Sequence, residues 1–243
     1  MRHAPLALAI IVAASAPADA LTIACGKVFD AENARLLGPH TLEITDGRIL
    51  ALTPGRPAAG AAFVDHSAQV CLPGLIDLHT HISDNEAGPA SYTEGYRLNA
   101  GDYALRGALN AKKTLRAGFT TIRDLGDVDG ASIAVRNAIN QGIAEGPRIF
   151  TAGKSIATTG GHADPTNGSN RDLAGKPGPR EGVINGPDDA YAAVRYRYKE
   201  GADLIKITAT GGVLSYAKNG LNPQFTQEEA NAIVAAAKDY GFT

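Results

Sequence analysis

Hydrophobic and polar positions divide the chain into three regimes. Residues 6–14 are an apolar run behind the short basic start Met1-Arg2-His3. Residues 21–71 alternate over short stretches, which predicts strands at 21–29, 41–45 and 48–52, then 63–65 with Val70. Asp46-Gly47 between two of these runs is a strong hairpin signal, and residues 54–60 read as a loop. From residue 75 the period changes to strand, helix, strand, helix, with strands predicted at 75–82, 120–125, 148–152 and 204–208. The first intervening helix places Ala104, Leu105, Ala108, Leu109, Ala111 and Leu115 on one face, with Gly118 closing it. The second carries Val135, Ala138, Ile139 and Ile143, and the third carries Tyr191, Val194 and Tyr198 behind Pro187 at its first position. A last helix opens on a capping box, Thr226 with Glu229, runs through Ala230, Ile233, Val234 and Ala237, and stops at Gly241.

Four β/α units in succession predict an α/β fold, a parallel sheet with helices packed outside it. A doubly wound sheet and a (β/α)₈ barrel both begin this way. No Gly-x-Gly-x-x-Gly follows any strand, which removes support for the dinucleotide-binding version. Residues 153–186 form a long Gly/Pro/Asn-rich loop after the third strand, and in a barrel that loop lies on the catalytic face.

Composition changes this picture at three points. Ala18-Asp19-Ala20 after the apolar run completes a secretory leader, so cleavage after Ala20 and export to the periplasm or medium are expected. The run is too short to span a bilayer, and Thr22 stands where a lipid-anchor motif at Cys25 needs an aliphatic residue. Lys+Arg 23 against Asp+Glu 25 leaves a formal charge of −2, which argues against a nucleic-acid partner. The run Arg195 to Lys199 reads as a charged helix face in solvent. Cys25 and Cys71 either pair in an oxidising compartment or remain two buried thiols, and spacing does not decide between these.

The candidate chemistry lies in Pro73-Gly74-Leu75-Ile76-Asp77-Leu78-His79-Thr80-His81-Ile82. Strand alternation puts Asp77, His79 and His81 on one face, where two imidazoles can share a metal ion and Asp77 can support them from behind. Lys206 stands mid-strand among apolar neighbours in Leu204-Ile205-Lys206-Ile207-Thr208. A buried ammonium must pair, lose its proton or be modified. A neutral lysine reacts with carbon dioxide to give a carbamate, an anionic ligand able to bridge two metals.

Together, the histidine pair, the β module before it and the segment from Gly201 to Gly212 resemble the metal-dependent amidohydrolase superfamily. Arg123-Asp124-Leu125-Gly126 and Gly160-Gly161-His162-Ala163-Asp164 look like its prolidase-like dipeptidase branch. The resemblance implies the N-terminal part of a (β/α)₈ barrel, about four units, preceded by a small β-sandwich module. It divides the chain into a leader at 1–20, the β module at 21–71 and the barrel part at 72–243. It implies one or two divalent ions, zinc foremost, with His79 and His81 on the more buried ion and Lys206 as a bridging carbamate. His162 would face the substrate carbonyl and Tyr216 a substrate carboxylate. The implied reaction is hydrolysis of a small-molecule amide or dipeptide next to its C-terminal residue, by a metal-activated water. A cyclic amide or imidazolone is the alternative substrate.

The family's further histidines from strands five and six, and the aspartate from strand eight that acts as general base, have no counterpart here. Residues 72–243 also fall short of the ~250 of a complete barrel. The chain therefore reads as an N-terminal half, expected to bind metal weakly and to turn over nothing alone. The non-catalytic alternative is a homo-oligomer in which two half-barrels associate.

Overall fold

The computed structural model describes residues 20–84, 91–212 and 219–242. Tyr216 and the leader up to residue 19 lie outside these. The chain divides into two compact units, Met1–Pro73 and Gly74–Thr243.

In the first unit, β1 (Ala20–Asp30) is the spine of a five-stranded sheet. It pairs antiparallel with β2 (Arg35–Leu37) and β3 (His40–Thr45), and parallel with β5 (Val64–Cys71). β4 (Arg48–Pro54) pairs antiparallel with β3. Asp46 and Gly47 adopt φ of 50° and 70°, the two left-handed positions of a type I′ hairpin turn, as the Asp-Gly signal predicts. The described residues build one sheet here, not the two facing sheets of a sandwich. β1 hydrogen-bonds along both edges, so the strands join side by side. β5 brings Cys71 to Cys25, and the two form a disulfide with Cα atoms 5.9 Å apart.

The second unit is a mixed α/β fold. β6 (Leu75–Thr80), β7 (Phe119–Asp124) and β8 (Arg148–Thr151) form a parallel sheet in that order. α1 (Ala100–Arg116) and α2 (Ala131–Asn140) supply the crossovers. Ile82, Ile122, Ile149, Ala111 and Val135 close a small-aliphatic core between sheet and helices. The helix face differs from the expected one. Ala104, Ala108 and Ala111 pack inward, whereas Leu105 and Leu109 are exposed, since at 100° per residue they sit to one side of that stripe. Ile143 lies beyond α2 and is exposed. The helix ends in a Schellman motif, with the Gly142 amide bonding to Ile139 O and the Ile143 amide to Ala138 O.

Beyond β8 the long loop carries β9 (Ala157–Thr158), a short α3 (Arg171–Ala174) and β10 (Val183–Ile184), with β9 and β10 paired in parallel. α4 (Pro187–Glu200) and α5 (Gln227–Asp239) then pack through Ala190, Ala193, Val194, Ala232, Ile233 and Ala236, small residues that permit close approach. The capping box of α5 forms as predicted, and Glu229 also accepts the Gly186 amide at the start of α4. The expected strand at 204–208 is not continuous. The Asp203 amide bonds to Thr151 O, and the ladder resumes only where Ile156 meets Lys206 and Thr208. Gly153, at φ 59°, bends the neighbouring chain between those points and interrupts the pairing.

The Arg195–Lys199 run departs from the solvent-face reading at one residue. Arg197 is fully buried, donating to the carbonyls of Lys154 and Arg180 and pairing with Glu200. It continues the stripe of Ala190, Ala193 and Val194, so helical spacing marks it as inward-facing. Its guanidinium staples the two ends of the long loop to α4.

Candidate functional site

His79 lies in β6 and His81 one residue past its end, with ring centroids 5.3 Å apart. A β-bulge sits between Asp77 and Thr80, so strict alternation does not hold where the histidines lie. Bulges of this kind re-aim side chains at strand ends. Both histidines are exposed among the described residues. Asp77 accepts the backbone N–H of His79 at 3.0 Å, and so holds the main chain rather than the ring.

The protonation of His81 follows from geometry. Its Nδ1 stands 2.9 Å from the carbonyl oxygen of Gly126, which can only accept. Nδ1 therefore carries a proton, and in the neutral ring this leaves the lone pair on Nε2. His79 is held below the ordinary histidine pKa, first by burial and then by the positive charge of Lys206, with His81 and Arg123 adding to it. Lys206 is half-buried, and its pKa is lowered by desolvation and by the Arg123 guanidinium. Arg123 is anchored by its Nε to Leu78 O at 2.9 Å.

Two imidazoles, that of His79 held below its ordinary pKa, beside a lysine biased toward its neutral form fit a divalent cation and a carbamate-forming amine. Among the described residues no three His, Cys, Asp or Glu side chains converge as a metal-binding group. The residues present thus fit as a partial donor set.

His162 sits on the long loop and is exposed. That loop is shaped by the buried Asp164, which accepts the Gly160 amide and both the amide and hydroxyl of Thr166. The His162 amide donates to Gln224 Oε1 at 3.0 Å, and the imidazole packs against Gly212. A Cβ at Gly212 would come within 2.5–2.9 Å of the ring, and its φ of 64° is left-handed. The two glycine-rich motifs noted in the sequence therefore meet. Tyr216 is outside the described residues.

Two carboxylates around the site have no role in the sequence reading, although Asp124 belongs to the Arg123–Gly126 run that carries the resemblance. Asp124, at the end of β7, is fully buried, and burial pushes its carboxyl up to about 7. Asp84 is likewise raised, mainly by desolvation, with His81 pulling the other way. A cavity of about 290 Å³ opens here, lined by His81, Asp84, Gly126, Asp127 and Ser155 among others. Its place at the end of the predicted strand, inside the Arg123-Asp124-Leu125-Gly126 run, was the available clue to Asp124.

Residues 70–243 match the amidohydrolase family. Ochratoxinase of Aspergillus niger is 32% identical over 183 residues, covering 71% of this chain and 38% of that protein. A crystal structure of a Xaa-Pro dipeptidase with methionine bound in its active site superposes with a TM-score of 0.86 at 45% identity, covering 92% of this chain and 55% of that one. A prolidase complexed with N-methylphosphonate-L-proline gives 0.79 at 29% identity, covering 92% and 54%. The structure of A. niger ochratoxinase gives 0.72 at 28%, with the same coverage. The chain thus spans about half the length of these solved relatives.

Proposed function

Because the chain belongs to the amidohydrolase family, we propose that its second unit supplies part of the active site of a metal-dependent hydrolase of C–N amide bonds. The reading that fits best is release of the C-terminal residue from a dipeptide or N-acyl amino acid. Likeness to a Xaa-Pro dipeptidase at 45% identity supports the dipeptide class. The observation that carries the metal reading is the histidine pair, 5.3 Å between centroids, with one Nδ1 committed to a carbonyl and its Nε2 left free.

In this reading His79 and His81 hold a divalent cation, zinc foremost, through ring nitrogens kept unprotonated. Lys206, once its neutral amine has added carbon dioxide and released a proton to solvent, would supply an anionic carbamate ligand for a second. Bound cations of this kind supply Lewis acidity and a water acidic enough to ionise near neutral pH. The residues of the chain have separate tasks. Asp77 fixes the His79 main chain, and Arg123 keeps positive charge near Lys206, which favours its neutral form before carboxylation and offsets the carbamate charge after it. In the same reading His162, packed on Gly212, would donate to a substrate carbonyl oxygen. We assign export to the leader at 1–20, and the Cys25–Cys71 disulfide supports an oxidising compartment.

The test is zinc binding by the 243-residue chain in bicarbonate buffer, read by equilibrium dialysis and by the ¹³C carbamate resonance. Binding that His79→Ala or His81→Ala abolishes, with a carbamate lost in Lys206→Ala, is the expected result. A wild-type chain that takes up no zinc overturns the metal reading. Saturation-transfer NMR on the zinc-loaded chain, comparing N-acyl amino acids with a cyclic amide, decides the substrate class; a response to the cyclic amide alone replaces the dipeptide reading.

A further inference from the structure

We propose that the turn ending β7, Asp124 to Gly126, is a clamp that sets the orientation and tautomer of His81 before any cation arrives; the proposal rests on the reading of His81 as a metal ligand. Its residues act through His81 and are positioning residues.

The clamp grips His81 from both sides. Asp124 Oδ2 accepts the backbone N–H of Ile82 at 2.7 Å and the hydroxyl of Thr80 at 3.4 Å, the two residues that flank the histidine. The Leu125 amide donates to Thr80 O at 2.9 Å, which prolongs the β6–β7 ladder past the last paired strand residues. From α1, Asn110 Nδ2 donates to Ile82 O at 2.9 Å. The main chain on either side of His81 is therefore fixed by groups that are not on its own strand.

The ring is set by Gly126, whose carbonyl receives Nδ1–H. That carbonyl is itself held in place. Ser155 Oγ donates to Leu125 O at 2.7 Å, and the Asp127 amide donates to Gly153 O at 3.1 Å. Only glycine allows this approach, since a Cβ at 126 would lie 2.8 Å from Ser155 Oγ and 3.2–3.3 Å from the His81 ring. Free imidazole favours the Nε2–H tautomer, in which the ring nitrogen needed for the metal is blocked. The Gly126 carbonyl reverses that preference and presents the Nε2 lone pair. Partners of this kind behind metal-binding histidines are typically worth 10–100-fold in affinity.

The experiment uses the full chain labelled with ¹⁵N-histidine, without metal and at pH 8, and reads the His81 tautomer from long-range ¹H–¹⁵N couplings. Zinc affinity is measured alongside by competition with a chromophoric chelator. Wild type should show His81 as Nδ1–H. Gly126→Ala and Asp124→Ala should shift it to Nε2–H and weaken zinc binding by about 10–100-fold. Asp124→Asn, which keeps an oxygen for Ile82 and Thr80, should retain the Nδ1–H form. An Nε2–H resonance in wild type overturns the clamp without recourse to any variant, so a variant that misfolds does not shelter it. Unchanged tautomer and affinity in both folded variants also overturn it. His81 held as Nδ1–H in a wild type that binds no zinc sinks the metal reading and keeps the clamp; zinc uptake with His81 free as Nε2–H does the reverse.

Discussion

The buried Asp124 carboxyl makes the stability of the second unit depend on pH in an unusual direction. Burial raises its pKa from 3.8 to about 7, and the Ile82 amide and the His81 ring only partly offset that. Its Oδ1 is buried with no hydrogen-bond partner among the described residues, so the charged form is poorly solvated. Between those two values the folded chain holds a proton that the unfolded chain has released. Stability is therefore fully present below 3.8 and is lost as pH rises through about 7. At about 1.4 kcal/mol per pH unit the whole window is worth about 4 kcal/mol, of which roughly 2–3 kcal/mol falls between pH 5 and pH 8. Asp84 acts in the same sense, and lowered carboxyls such as Glu181 oppose it, so the informative quantity is a difference between variants. Asp124→Asn removes the titration and keeps an acceptor for Ile82. Urea unfolding in the presence of EDTA, followed by circular dichroism at both pH values, should show wild type losing roughly 2–3 kcal/mol more than Asp124→Asn. Parallel losses in the two proteins would refute the argument from burial.

Three further outcomes follow from the same structure. Asp203 Oδ2 takes both Arg136 at 2.6 Å and the Thr151 amide at 2.9 Å, so Asp203→Ala should cost about 2–4 kcal/mol in urea unfolding; a loss below about 0.5 kcal/mol would show that water replaces the carboxylate. The disulfide closes a separation of 46 residues, so Cys25→Ser with Cys71→Ser should lower the stability of the first unit by up to about 4 kcal/mol, read as faster amide exchange across β1; unchanged protection there would count against it. Gly212→Ala should displace the His162 ring and shift its NMR resonances while leaving zinc affinity unchanged, and an unmoved His162 would contradict the close packing seen at Gly212.

Local chemistry made much of this protein legible from its residues alone. Asp46-Gly47 forms its hairpin and Thr226 with Glu229 caps its helix, because both devices are complete within four residues. The strands at β6, β7 and β8 and the helices between them follow from period, and the metal-ligand candidates from His-x-His at a strand end and a lysine among aliphatics. What the sequence could not decide depends on partners distant along the chain. Whether Cys25 meets Cys71 depended on β5 lying beside β1. Arg197 looked like one charge in a solvated run until the carbonyls of Lys154 and Arg180 folded over it. The 204–208 segment has a strand's composition, yet Gly153 on its neighbour breaks the ladder. His81 could be named as a candidate ligand, but not the partner of its Nδ1, since the Gly126 carbonyl arrives from 45 residues away. Periodicity and capping are properties of contiguous chain. Burial, proton placement and pairing belong to surfaces that exist only once the sheet and its helices have closed on one another.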